Sequence, residues 1–103
     1  MNAKIPIPEQ ALRDFCRRWQ IVELSLFGSA LRDDFGPHSD IDLLVRFASD
    51  ATPTLFDMVT MQDELAAITG RDVDLVSRRA IEDSRNTIRR RAILESAEVI
   101  YAA

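Results

Sequence analysis

The sequence predicts a layered α/β domain, and three observations carry that reading. Apolar residues recur with helical spacing near the amino terminus, where Leu12, Phe15, Cys16 and Trp19 fall at i, i+3, i+4 and i+7. Short runs rich in β-branched and aromatic residues, Ile21–Phe27 and Ile41–Val45, then alternate with longer helical patterns. Glycine, proline and polar clusters separate them, as at Gly36-Pro37, Asp50–Pro53 and Gly70. Helices alternating with short strands make a sheet with helices packed on it.

Taken in order, Pro6 and Pro8 mark an extended start, and Glu9 to about Trp19 is the first helix. Cys16 and Trp19 lie on its apolar face and are core residues. Ile21–Phe27 is a strand. Ser29 caps a short helix running to Asp34, and Gly36-Pro37 turns the chain into a second strand, Asp40–Phe47. Thr54 caps a longer helix whose buried stripe is expected to be Leu55, Met58, Leu65 and Ile68, stopped at Gly70. Its methionines read as core filling. Asp72–Ser77 is a third strand, Ile81–Ala97 is largely helical with Ile88, Ala92 and Ile93 facing inward, and Val99–Tyr101 adds a short last strand.

With 103 residues the chain is expected to be a single domain over 1–103, large enough for a real core. An apolar fraction of 47% beside 29% charged residues is ordinary for a soluble protein. No apolar stretch reaches membrane-spanning length and no signal-peptide pattern opens the chain, so a cytoplasmic protein with no membrane partner is expected. A lone cysteine excludes a disulfide framework and a cysteine-based zinc site. The net charge of −4 argues against general nucleic-acid binding. The charge is uneven, however. Six arginines, at 78, 79, 85, 89, 90 and 91, crowd one stretch. Arginine there suits a nucleotide or an acidic partner, and a solvated helix face is the plainer reading.

The chemistry concentrates in residues 28–42. Asp40 and Asp42, two apart on a strand, project to one face, while Ile41, Leu43 and Val45 point into the core. Two carboxylates so close repel one another unless a cation lies between them, and hard divalent ions with oxygen ligands meet that demand. Asp74, in the apolar run Val73-Asp74-Leu75-Val76, offers a third carboxylate in a setting where an acid is costly without a partner. Gly28 lets a phosphate approach the backbone, and Ser29 opens a helix whose amino-terminal N–H groups favour an anion. As isolated pieces these are a turn with a helix cap and an acidic loop before a strand; that plain reading leaves Asp74 unexplained. His38 reads as a solvated loop residue and Tyr101 as a core residue.

Leu26-Phe27-Gly28-Ser29-Ala30-Leu31-Arg32, followed by Ser39-Asp40-Ile41-Asp42-Leu43-Leu44-Val45 and by Asp74 in its strand, resembles the signature of the minimal nucleotidyltransferase family. That family lies within the DNA polymerase β-like superfamily. The likeness in element order covers roughly residues 9–101. Asp33 departs from it, because many members have glycine after the arginine.

The resemblance implies a nucleotidyltransferase fold, a small mixed sheet of three to four strands packed with helices. It implies transfer of AMP from ATP to a hydroxyl with pyrophosphate leaving, supported by two Mg²⁺ ions, with Mn²⁺ as the alternative. Asp40 and Asp42 would hold both metals, and Asp74 the nucleophile-side metal. Gly28 and Ser29 would cradle the β- and γ-phosphates. Arg32 is a further candidate phosphate or partner contact, with a surface ion pair to Asp33 or Asp34 as the competing reading. Minimal family members are commonly paired with a helical HEPN-domain toxin. The implied function is therefore an antitoxin that adenylylates a tyrosine of that toxin, in a possible hetero-oligomer, with exposed parts of the two longer later helices as the interface. Two alternatives stand beside it: a non-catalytic antitoxin acting by contact, and a small-molecule nucleotidyltransferase completed by a partner subunit.

Overall fold

The computed structural model describes residues 7–28 and 40–103. Its elements are α1 (Glu9–Arg18), β1 (Ile21–Phe27), β2 (Ile41–Phe47), α2 (Leu55–Thr69), β3 (Val73–Ser77), α3 (Arg78–Glu82), α4 (Thr87–Ser96) and β4 (Glu98–Ala102). The strands form one mixed sheet in the order β3-β2-β1-β4. β1 is antiparallel to both β2 and β4, and β2 runs parallel to β3. The expected mixed α/β architecture is present. The expected helix from Ser29, the Gly36-Pro37 turn and His38 lie outside the described residues.

Strand alternation sorts the sheet into two packed faces. On one, Leu24, Leu26, Ile41, Leu43, Val45 and Leu75 meet Leu12, Phe15 and Cys16 of α1 and Met61 and Leu65 of α2. On the other, Phe27 and Leu44 pack with Ile81 of α3 and Ile93 of α4. The described residues thus make three layers, helix on sheet on helix.

Local chemistry sets the helix ends. Thr54 Oγ1 accepts from the Asp57 N–H at 3.1 Å and Asp57 Oδ2 accepts from the Thr54 N–H at 2.9 Å, a reciprocal cap. Gly70 closes α2 at φ 73°, in the left-handed region where glycine carries no steric penalty. Within α2, Gln62 reaches around the sheet edge, its Oε1 accepting from the Leu75 N–H at 2.9 Å. At the far end of β1 and β2, Glu23 Oε1 accepts from Arg78 Nη1 at 2.8 Å, and Arg46 lies 4.0 Å from the other carboxylate oxygen.

Three expectations are corrected. Leu55 is 85% exposed; the stripe of α2 is Met58, Met61, Leu65 and Ile68, because the helix meets the sheet only from Met58 onward. Ile88 is 83% exposed and Ala92 is exposed too, leaving Ile93 as the buried residue of α4. The helix expected over 81–97 is two helices. α3 ends at Asp83, and α4 restarts at Asn86, whose Oδ1 accepts from the Arg89 N–H at 3.1 Å. Arg90 Nη1 donates to the carbonyls of Glu82 and Ser84 at 3.4 and 3.2 Å, satisfying groups that the break exposes.

Candidate active site

β1 ends, and β2 and β3 begin, at the same end of the sheet, because β1 runs antiparallel to β2 and β2 runs parallel to β3. Phe27 is the register partner of Asp42, and Asp42 is the register partner of Asp74. Adjacent strands lie about 4.8 Å apart, and residues in register share a face. The two aspartates therefore stand side by side on the face that carries Phe27 and Leu44. Asp40 precedes the first residue of β2 and is exposed; it belongs to the same face by alternation. The Ile41 N–H donates to the Asp72 carbonyl at 2.9 Å, which ties the beginnings of the two acid-bearing strands together.

Gly28 completes the arrangement. Its φ is +66°, and a Cβ built on it would lie 2.5 Å from Asp42 Oδ2 and 3.4 Å from Asp42 Cγ. A side chain there would have to displace the Asp42 carboxylate. The positive φ itself favours glycine, and the close approach of a carboxylate adds to that preference.

The structure thus brings together Gly28, Asp42 and Asp74, with Asp40 immediately before them. Ser29 and Arg32 lie outside the described residues. Asp74 is exposed, on an edge strand. The sequence setting pointed to an acid among apolar neighbours, but its neighbours Val73 and Leu75 turn to the opposite face. Among the described residues no three acidic, histidine or cysteine side chains are gathered closely enough to enclose a metal ion. Asp42 and Asp74 instead form an open carboxylate pair. Oxygen donors in this number suit Mg²⁺, which is characteristically held by one or two carboxylates and completes its shell with water and substrate phosphates.

A separate cavity of 680 Å³ lies at the opposite end of β2 and β3, lined among others by Phe47, Ala48, Met58, Ser77 and Arg79. None of the described helices is long and apolar enough to cross a membrane.

Residues 8–100 match the family model described as a nucleotidyltransferase domain. A curated relative, the protein adenylyltransferase MntA of Thermococcus cleftensis, is 30% identical over 70 residues, covering 68% of this chain and 69% of the relative. Among solved structures, a toxin–antitoxin complex with AMP-PNP contains a chain of TM-score 0.70 and 24% identity, the likeness covering 94% of this chain and 75% of that one. A complex of tri-AMPylated Shewanella oneidensis HEPN toxin with its MNT antitoxin gives a TM-score of 0.60 at 24% identity, over 92% and 70% of the two chains. These two structural likenesses establish the fold. With the match running from the residue before α1 into β4, through both aspartate-bearing strands, the chain belongs to the nucleotidyltransferase domain family.

Proposed function

We propose that this chain transfers AMP from ATP to a hydroxyl of a partner protein, a tyrosine of a HEPN-domain toxin, and acts as the antitoxin of that pair. The observation that carries the reading is the pairing of Asp42 with Asp74 beside a glycine whose missing side chain leaves room for the Asp42 carboxylate. The name of the Thermococcus relative supports adenylyl transfer to protein. The AMP-PNP complex supports ATP as donor, and the AMPylated toxin complex supports a HEPN acceptor.

In this mechanism Asp40 and Asp42 would hold two divalent ions, Mg²⁺ or Mn²⁺, with Asp74 as a further ligand. Bound there, the ions would neutralise triphosphate charge and make the acceptor hydroxyl more acidic. The protein's own work is placement. Gly28 and Ser29 would cradle the β- and γ-phosphates, with Arg32 as a further phosphate or partner contact. Asp74 receives the hydroxyl proton at a carboxylate oxygen as the acceptor oxygen bonds to the α-phosphorus. The bond from that phosphorus to the bridging oxygen of the β-phosphate breaks, and pyrophosphate departs. Holding acceptor and α-phosphate in line supplies much of the rate. An open carboxylate pair at a sheet edge suits a bulky acceptor, since a protein side chain has to approach from outside.

The test is label transfer from ATP labelled on the α-phosphate, with Mg²⁺ and host lysate, beside an Asp42→Asn variant. A labelled protein band that disappears with the variant, and is absent with γ-labelled ATP, is the expected result. Neutralisation of the toxin that survives Asp42→Asn would instead favour an antitoxin acting by contact. Label on a small alcohol with none on protein would favour a small-molecule enzyme.

A further inference from the structure

The outer face of α4 combines features that a merely solvated helix lacks. Between Arg78 and Ser96 the chain carries six arginines and three acidic residues, a local excess of positive charge on a molecule whose net charge is −4. In the middle of this stretch stands Ile88, 83% exposed. Thr87, Ile88, Arg91, Ala92 and Glu95 line a shallow groove of 630 Å³ with Arg90 at its side. Arg85 and Arg89, both exposed, form no salt bridge among the described residues. Arginine around a large apolar side chain is the composition of a protein-binding centre rather than of a solvated surface.

The place of α4 in the fold adds a direction. Its inner residue Ile93 packs with Phe27 and Leu44, and Phe27 is the register partner of Asp42. The outer face of α4 therefore lies over the same side of the sheet that presents the aspartate pair. A partner seated on α4 rests on the side from which an acceptor hydroxyl reaches the carboxylates.

We infer that the outer face of α4, centred on Ile88 and flanked by Arg85, Arg89 and Arg91, is the docking surface for an acidic protein acceptor. The inference rests on the adenylyltransferase reading above, because the partner it describes is the protein that receives AMP. Charge complementarity sets the occupant. A cationic patch on a molecule of net charge −4 attracts an acidic surface that the overall charge disfavours, so the patch steers as well as holds. A nucleic-acid backbone fits less well. Ile88 offers nothing to a phosphate, whereas an exposed apolar side chain anchors a protein surface.

The probe is the random copolymer poly(Glu,Tyr), which carries acidic and aromatic side chains together. Its binding is measured by fluorescence anisotropy in physiological salt, with poly-U RNA in parallel. The unsubstituted protein is expected to bind the copolymer. Arg89→Glu and Ile88→Asp, each at an exposed position, weaken binding by at least about tenfold. Arg17→Glu, an equal change of charge on the exposed face of α1, leaves it within about twofold.

The proposal is overturned if the protein does not bind the copolymer, if Arg89→Glu and Ile88→Asp bind normally, or if Arg17→Glu weakens binding equally. It is also overturned if poly-U binds more tightly, or if the α4 variants abolish self-association of this chain instead. Label transfer to lysate protein, run beside it, separates the two readings. Copolymer binding without any transfer counts against the enzyme and not the surface. Transfer that persists in Arg89→Glu and Ile88→Asp counts against the surface alone.

Discussion

Asp42 and Asp74 occupy the same rung of two parallel strands, so two carboxylates share one face at the edge of the sheet. Like charges directly opposite on neighbouring strands destabilise a sheet, by about 0.2–1 kcal/mol on the scale of cross-strand pairs. In the presence of a chelator, Asp74→Asn is therefore expected to raise the melting temperature slightly. Saturating Mg²⁺ should narrow or reverse that advantage, since an ion bound only by the native state stabilises the unsubstituted protein more. Melting curves in chelator and in Mg²⁺ check this. A variant less stable in chelator would show that the carboxylates do not repel.

Gly28→Ala places a methyl group at the Asp42 carboxylate and forces a side chain into positive φ. The backbone term alone is about 1–2 kcal/mol. Label transfer should fall by at least about a hundredfold, the scale on which lost electrostatic contacts at a reacting phosphate are felt. Thermal denaturation and transfer measured on one preparation separate the two effects. Full activity with an unchanged melting temperature would remove Gly28 from the site.

Glu23 joins β1 to α3 and β2 through Arg78 and Arg46, with its side chain only 19% exposed. Glu23→Ala leaves the Arg78 guanidinium without its 2.8 Å partner and should cost about 1–2 kcal/mol. Urea denaturation gives the value. Since the pair lies at the opposite end of the strands from Asp42, ATP binding should be unchanged.

Burial pushes the Cys16 thiol from an ordinary value of 9.0 up to about 12. The native state therefore keeps its proton where the unfolded chain loses it, and stability should be level below pH 9 and decline between pH 9 and 12. Cys16→Ala should flatten that part of the profile. A thiol reagent at pH 8 should modify the native protein only as fast as it opens.

Much of the site was legible because spacing and alternation place residues without any knowledge of partners. Asp42, Ile41, Leu43 and Val45 fall on the faces that period-two alternation assigns them. The Thr54 and Gly70 helix ends follow equally from local chemistry. What periodicity could not decide was whether an apolar residue meets this chain's own core. Leu55 and Ile88 carry the same hydrophobicity as Leu65 and Ile93, yet only the latter two contact the sheet. The helical repeat admits Leu55 as readily as the core-filling Met58 and Met61; only contact with the sheet, which Leu55 lacks, decides between them. The break between α3 and α4 had a signal in Asp83, Ser84 and Asn86, three residues that favour caps over helix interiors. The exposure of Asp74 depends on β3 being the outermost strand, and strand order is a long-range property.

The bond from Gln62 to the Leu75 N–H has a bearing on self-recognition. An outermost strand is a template on which any extended peptide can crystallise another strand. Here one donor of that template is already engaged by an amide from the chain's own helix. An invading strand on the β3 side would have to displace Gln62 in order to pair with Leu75. The outer edge of β3, the strand that displays Asp74, is thus guarded at its middle residue. The rim that carries Asp74 is thereby partly guarded against backbones while its carboxylate stays exposed.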